Sequence, residues 1–244
     1  HVAAVGDEIE PNEAWRKHKF EYTGKQWDYD CRQVFYAWTP DAVKVPFSPT
    51  LTVLSRDETC GLANPLDIHR DAGGGIHLLM RVVNIGHRCV RDRFFPELPI
   101  RVSLEYVRMI RGRVVERRTL AESVERSIAE TGPAPRGLSI WEQPPLVFDR
   151  PEPLGGVFQE TPEGLHLLWM EAESGEARLC VRRLDPVAEQ SEVVLSGLGR
   201  GYFTNTCSRA GSPPSALADL YGHDPQAREI RYLRGPVCFC ATQK

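Results

Sequence analysis

The chain has 244 residues, of which 41% are hydrophobic and 26% charged, and its 30 basic and 33 acidic side chains leave a net charge of −3. This composition is ordinary for a globular domain and argues against a strongly basic nucleic-acid-binding surface. We therefore expect no nucleic-acid partner. We also expect no membrane span, because no apolar stretch approaches the roughly 20 residues that a membrane-spanning helix needs. The length suits one large β domain, and residues 1–244 are predicted to form a single domain or a fragment of one.

Short strand patterns, separated by turn residues, run through the chain, and none of the patterns is typical of a long helix. Residues 15–32 are polar and aromatic without a clear period and are predicted to form an irregular loop, and residues 84–99 a long basic loop. Residues 121–153, rich in Pro, Gly and charge, are predicted to be an irregular insertion. Strands are predicted at 2–5, 33–38, 50–55, 66–69, 76–83, 100–110, 113–120, 157–160, 165–170, 177–184, 191–195, 202–206, 217–220, 229–233 and 237–239.

Arg111 and Gly112 separate two of these strands and predict a β-hairpin, because a two-residue connection containing Gly suits a tight turn. The basic side chains that follow in this hairpin are predicted to lie on its solvated face rather than to bind phosphate.

One phrase occurs twice, as DAGGGIHLLM at residues 71–80 and as TPEGLHLLWM at residues 161–170. Each copy is a turn closed by Gly and followed by an apolar run short enough for a buried strand. His77 and His166 occupy equivalent positions, so we predict a repeated structural role for both rather than catalysis. His69, on the other side of the first turn, is interpreted in the same way.

The strands recur in groups of about four, beginning near residues 63, 155 and 201, with an incomplete group before residue 56. Four antiparallel strands per repeated unit are typical of a β-propeller blade, so the sequence predicts an all-β propeller, complete or incomplete. The interval between the two copies of the phrase is about twice the ~40 to 45 residues of a compact blade. A β-sandwich or jelly roll is the alternative fold.

Asp71 and Gly75 precede their strand as Asp and Gly do in the Asp-box (BNR-type) turns of sialidase-like propellers, which this turn resembles. The Ser and Trp usual in that motif are missing from the first copy, whereas the second has Trp169 but Pro or Glu at the Asp position. Residues 211–215 and the strands after them resemble a further blade, and the wider chain is similar to uncharacterised bacterial BNR-repeat proteins. The resemblance implies a polysaccharide or glycan partner and a secreted or periplasmic location. A non-catalytic propeller that binds glycan or protein remains the alternative.

Residues 15–32 contain the densest group of side chains suited to a glycan. Sugar sites combine aromatic faces with carboxylates and arginines that hydrogen-bond hydroxyl groups or hold a sugar carboxylate. The alternative is that the aromatic rings pack internally and the charges are solvated. The candidate catalytic residues are His18, Tyr22, Asp28, Tyr29 and Asp30, and the candidate substrate-binding residues are Trp15, Trp27, Arg32, Arg91 and Arg209.

Two hydrolytic chemistries are considered for these candidates. A glycosidase needs two carboxyl groups, which Asp28 and Asp30 could supply. A sialidase would use a Tyr nucleophile, and Tyr106 beside Glu105, with Arg209 on the substrate carboxylate, provides the residue types. Neighbours in a strand point to opposite faces, however, which argues against direct assistance of Tyr106 by Glu105.

A polysaccharide lyase needs a base, an acid and a positive charge that neutralises the uronate carboxylate. His18 or His87 could be the base. Tyr22 or Tyr29 could be the acid, and the positive charge would come from Arg32 or Arg91. Sequence signatures of nucleotide-dependent enzymes and zinc proteases are missing.

The seven cysteines are odd in number and include no Cys-x-x-Cys pair, which argues against a zinc ribbon or a thioredoxin-like site. Cys238 and Cys240 would share one face of a strand, where a disulfide between them would be strained. We therefore predict buried thiols that pack as small hydrophobic groups. The sequence predicts no metal site and identifies no cofactor.

Overall fold

The computed structural model describes residues 1–24, 29–127, 135–137, 146–173, 176–185, 192–199, 202–206, 213–224 and 228–237. Over these residues the chain consists mostly of β-strands in antiparallel sheets, with few helices. The predicted all-β class is therefore confirmed.

Most of the observed strands overlap the predicted ones, but those that begin at Tyr29, Leu62 and Glu152 start four or five residues before the predicted positions. Val237 lies outside any strand, and the rest of the strand predicted at 237–239 lies outside the described residues. The helices are α1 (Glu13–Thr23) and α2 (Arg88–Phe94). The strands are β1 (Val2–Ile9), β2 (Tyr29–Ala37), β3 (Leu51–Leu54), β4 (Leu62–Arg70), β5 (Ile76–Val83), β6 (Arg101–Ile110), β7 (Arg113–Val124), β8 (Glu152–Thr161), β9 (Gly164–Glu173), β10 (Glu176–Asp185), β11 (Glu192–Gly199), β12 (Tyr202–Thr206), β13 (Leu217–Asp224) and β14 (Glu229–Pro236).

Each sheet is a meander of strands that are consecutive in the chain. In the described residues the sheet orders are β1-β2-β3, β4-β5-β6-β7, β11-β10-β9-β8 and β12-β13-β14. The second, third and fourth sheets begin at Leu62, Glu152 and Tyr202, close to the predicted starts of the strand groups. In the described residues two sheets have four strands and two have three. The predicted hairpin is also present: Ile110 pairs with Arg113, and Arg111 and Gly112 between them have φ of 50° and 73°.

The chain divides into two compact units, and the boundary falls within strands β4 and β5. The first unit comprises His1–Pro65 and Met80–Arg150, and the second comprises Leu66–Leu79 and Pro151–Lys244. Each unit has its own buried apolar cluster. The cluster of the first unit includes Trp15, Cys60, Val83, Ile85, Cys89, Val90, Ile100 and Val102, and that of the second includes Val157, Leu168, Met170, Ala177, Leu179, Val181, Ala218, Leu220 and Val237.

Two segments predicted as loops contain helices, which corrects the sequence interpretation. Helix α1 occupies the first part of residues 15–32, and strand β2 occupies the end, while α2 lies within residues 84–99. Local signals explain α1: the Asn12 side chain accepts hydrogen bonds from the backbone N–H groups of Ala14 and Trp15, at 3.1 and 3.2 Å. Gly24 then ends the helix in the left-handed conformation, with φ of 72°. Within the predicted insertion, β7 continues to Val124, and residues 128–134 and 138–145 lie outside the described residues.

The first copy of the repeated phrase is organised by the Asp71 carboxylate. Asp71 Oδ1 accepts a hydrogen bond from the Gly75 backbone N–H at 2.7 Å, and Oδ2 lies 3.2 Å from His77 Nε2. A Cβ atom at residue 75 would overlap the Asp71 carboxylate. The close approach of the carboxylate therefore requires glycine at this position.

The second copy uses a hydroxyl group where the first uses a carboxylate. Thr161 Oγ1 accepts a hydrogen bond from the Glu163 backbone N–H at 3.1 Å, and His166 Nδ1–H donates to the Gly164 carbonyl at 3.0 Å. Burial lowers the pKa of His166, and the bond to Gly164 opposes that effect. Both histidines therefore contact the turn that precedes their strand, as the predicted structural role requires.

Replacing Asp71 tests the account of this turn. Asp71→Ala removes the acceptor for the Gly75 N–H, and we expect it to lower the free energy of unfolding by about 1–2 kcal/mol. Asp71→Asn keeps an acceptor oxygen and should lose less. Urea unfolding of both variants beside the parent protein measures the difference, and an unchanged unfolding midpoint for Asp71→Ala would contradict the account.

Candidate functional site

Helix α1 places three of the candidate residues on one face. Trp15, His18 and Tyr22 are separated by three and four positions, the spacing at which helical side chains become neighbours. Trp15 is 8% exposed and belongs to the core of the first unit. His18 and Tyr22 are only partly buried, so this face runs from the core toward the surface.

Helix α2 supplies the aromatic rings against which this face packs. His18 lies edge-on to Phe94, with ring centroids 5.6 Å apart, and Trp15 lies edge-on to Phe95 at 5.7 Å. The His18 and Tyr22 rings are also 5.6 Å apart. We call these five residues the aromatic row. Edge-to-face contacts of this kind contribute beyond the burial of area, so the row fixes the two helices against each other.

The buried end of the aromatic row carries Arg32. Its guanidinium lies 5.7 Å from the Trp15 ring centroid and pairs with the Glu10 carboxylate, and the two side chains are 1% and 0% exposed. Cys60 Sγ donates a further hydrogen bond to Glu10 at 2.9 Å. Asp57 Oδ1 lies 3.6 Å from Arg32 Nη1. Arg32 therefore has an internal carboxylate as partner and almost no surface for a ligand.

Arg91 occupies a second buried ion pair. Its side chain and that of Glu125 are each 0% exposed, and its Nε also donates to Asp92 at 2.6 Å. Glu125 Oε2 accepts a hydrogen bond from the Ile100 backbone N–H at 3.1 Å. The pair thus ties α2 to the start of β6 and the end of β7, and the geometry favours a structural role for Arg91 over substrate binding.

The outer end of the aromatic row carries an arginine that the sequence interpretation missed. The guanidinium of Arg136 lies 5.4 Å from the centroid of the Tyr22 ring, and Arg136 is exposed. The neighbouring Gly137 N–H donates to the Tyr22 carbonyl at 2.8 Å. Nothing in the Pro- and Gly-rich sequence around Arg136 signals this contact, because it depends on the return of the chain to α1 more than a hundred residues later.

The His18 ring is held in one tautomer by the backbone. His18 Nε2 lies 3.0 Å from the Cys89 carbonyl oxygen, which can only accept a hydrogen bond, so Nε2 carries the proton. Nδ1 is then the ring nitrogen that can accept a proton. A base of this kind, beside a phenol and near an exposed guanidinium, has the residue types required for proton abstraction next to a carboxylate.

The structure brings together some of the predicted site residues and separates others. Trp15, His18, Tyr22 and Arg32 lie along the aromatic row or at its end, whereas Arg91 belongs to the other ion pair. The backbones of Tyr29 and Asp30 lie in β2, but their side chains are not among those described. Trp27, Asp28 and Arg209 lie outside the described residues.

The other residues weighed for catalysis have separate surroundings. His87 is 2% exposed and is the N-cap residue of α2. Tyr106 packs against the Arg118 guanidinium at 4.9 Å, and burial raises its pKa. Glu105 accepts hydrogen bonds from Ser103 at 2.8 Å and Thr119 at 3.0 Å. Glu105 and Tyr106 thus have different partners, as expected for neighbours in a strand.

Cys31, Cys60, Cys89 and Cys180 are present as thiols. Cys60, Cys89 and Cys180 are buried as predicted, whereas Cys31 is only partly buried, and Cys60 donates a hydrogen bond to Glu10 instead of acting only as an apolar group. Cys207, Cys238 and Cys240 lie outside the described residues. Burial raises the pKa of Cys180 to about 12. The described part of the chain contains no group of three or more His, Cys, Asp or Glu side chains arranged to hold a metal ion. Within the same residues, no helix combines the length and apolarity that crossing a membrane requires.

Comparison of the chain with protein-family models, with curated proteins and with solved structures finds no match. The candidate site therefore rests on the geometry of α1, α2 and residues 135–137.

A double-mutant cycle tests whether Arg32 is structural. Glu10→Ala and Arg32→Ala each leave one charge buried without its main partner, and we expect each to cost about 3–5 kcal/mol of unfolding free energy. The double variant removes both charges and should lose less than the sum of the single losses. Urea unfolding followed by tryptophan fluorescence measures all four proteins. Strictly additive losses would contradict the coupling.

Proposed function

We propose that the protein is a β-propeller, or part of one, that recognises acidic glycans through Arg136, Tyr22 and His18. The observation that carries the proposal is the exposed Arg136 guanidinium held over the Tyr22 ring at the outer end of the aromatic row. Arg32 and Arg91 take no part in this proposal, because their guanidinium groups are buried against Glu10 and Glu125.

The order of the strands supports the propeller. A propeller blade is a meander of about four consecutive antiparallel strands, whereas a jelly roll places neighbouring strands of the chain in different sheets. The meander sheets of this chain fit the first pattern. The Asp71 turn, with its carboxylate bound to the Gly75 N–H, adds to the resemblance to Asp-box propellers.

The chemistry of the site favours a sugar that bears a carboxylate. A guanidinium pairs with a carboxylate through two parallel hydrogen bonds, and Arg136 is exposed and able to meet one in this way. The aromatic ring of Tyr22 and the imidazole of His18 provide apolar faces and hydrogen-bonding groups beside it. A uronate unit, with a carboxylate on one side of a partly apolar ring, matches both features.

The tautomer of His18 favours uronate elimination as the catalytic form of this function. His18 Nδ1 would remove the proton α to the carboxylate, while Arg136 neutralises the carboxylate. The electron pair of the broken C–H bond would form the C=C bond as the glycosidic C–O bond breaks. The leaving oxygen would take its proton from the Tyr22 hydroxyl. The competing function is binding without turnover.

Replacing Arg136 tests the recognition of the carboxylate. Calorimetric titration with oligogalacturonate should show binding that Arg136→Ala weakens about tenfold or more, since hydrogen bonds to charged groups contribute about 1.5–3 kcal/mol. Arg16→Ala is the matched control, because Arg16 is an exposed arginine that lies with Glu13, Lys17 and Phe20 in another part of the α1 surface. Equal affinities for the two variants would contradict the proposal.

The same proteins distinguish turnover from binding. Elimination creates a conjugated double bond whose absorbance can be followed. His18→Gln should abolish that signal, while oligogalacturonate still binds through Arg136 with an affinity reduced less than by Arg136→Ala. Binding by the parent protein without any unsaturated product would assign the non-catalytic function.

A further inference from the structure

We propose a second saccharide-binding surface in the second unit, on the exposed face of strands β13 and β14, that takes a neutral sugar ring. It extends the proposed glycan recognition to another surface and takes its ligand class from that function, but it uses none of the residues around Arg136. We call Tyr221, Tyr232, Asp219 and Arg234 the tyrosine platform.

The alternation of burial along β13 defines this face. Ala218 and Leu220 are 5% and 2% exposed and belong to the apolar cluster of the second unit. Tyr221 points the other way and is 42% exposed, and Tyr232 on β14 is 62% exposed. Large exposed aromatic side chains on a sheet face have a cost in water and are typical of binding surfaces.

The register of the two strands places the tyrosines side by side. Tyr221 is the direct antiparallel partner of Tyr232, and Asp219 is the direct partner of Arg234 on the same face. Side chains directly opposite each other on adjacent strands have Cβ atoms about 4.5–5.5 Å apart. Two phenol rings are thus presented together, next to a carboxylate and a guanidinium.

The polar members of the platform are held in place by one another. The Tyr232 hydroxyl donates to Asp219 Oδ1, and Arg234 Nε lies 3.4 Å from the same oxygen. The Asp219 and Arg234 charges compensate each other, so the platform offers hydrogen-bonding groups without a net charge. Aromatic faces bordered by such groups suit a neutral sugar, whose ring has apolar C–H surfaces and hydroxyl groups at its edge.

The test measures binding of cellohexaose, mannohexaose and xylohexaose by calorimetric titration. We expect the parent protein to bind at least one of them, and Tyr221→Ala with Tyr232→Ala to weaken that binding about tenfold, in line with the contribution of aromatic contacts. Tyr221→Phe keeps the ring and should retain most of the affinity. Leu217→Ala is the control, since Leu217 is 41% exposed on the same face but lies beyond Asp219, away from the two tyrosine rings.

Three outcomes would overturn the proposal. The first is that the parent protein binds none of the three probes, and the second is that the double tyrosine variant binds them as the parent does. The third is that sedimentation shows self-association of the parent protein but not of the double variant, which would make the platform an interface between copies of this chain. Unfolding midpoints check that the variants fold.

The same variants test the proposed binding at Arg136 independently of the platform. The double tyrosine variant should still bind oligogalacturonate, and Arg136→Ala should still bind the neutral probe. Failure of the platform therefore leaves the Arg136 result unchanged, and loss of the Arg136 effect leaves the platform result unchanged.

Discussion

The buried pair of Glu10 and Arg32 is the interaction on which the candidate site depends. Removing two charges from water is costly, and the cost is offset only when the charges meet each other with good hydrogen bonding. Glu10 directly follows β1 and also accepts the Asn12 backbone N–H at 2.9 Å, while Arg32 lies in β2 beneath Trp15. The pair therefore fixes the start of α1 to the sheet, and the position of His18 and Tyr22 follows from it.

A second buried ion pair fixes α2 to a sheet, as the first fixes the start of α1. Arg91 and Glu125 anchor α2 to the sheet that contains β6 and β7, and the aromatic row fills the space between the helices. The aromatic row therefore has a buried end, where the charge of Arg32 is neutralised by Glu10, and an exposed end, where Arg136 lies. This difference in exposure explains why the two arginines at the ends of the aromatic row have different roles. Burial against a carboxylate makes Arg32 structural, and exposure leaves Arg136 available to a ligand.

The strand groups, the Arg111–Gly112 hairpin and the equivalence of His77 and His166 could be predicted from the sequence, because each depends on local turn chemistry and alternation. Asn12, Gly24 and the spacing of Trp15, His18 and Tyr22 are local signals of helix α1, but the mixture of aromatic and charged residues in the same segment favours a loop, and the loop prediction is wrong. The burial of Arg32 and Arg91 could not be predicted. Their carboxylate partners are distant in the chain, and only the packing of helix on sheet brings them together. The contact of Arg136 with Tyr22 has the same origin.

Hydrogen–deuterium exchange with and without saturating oligogalacturonate tests the central claim most directly, namely that the outer end of the aromatic row is a binding surface. The account predicts slower exchange in α1 and at residues 135–137, since a ligand that bridges Arg136 and His18 would restrain the backbone on both sides of it. Unchanged exchange in both segments, with protection confined to another part of the chain, would contradict it.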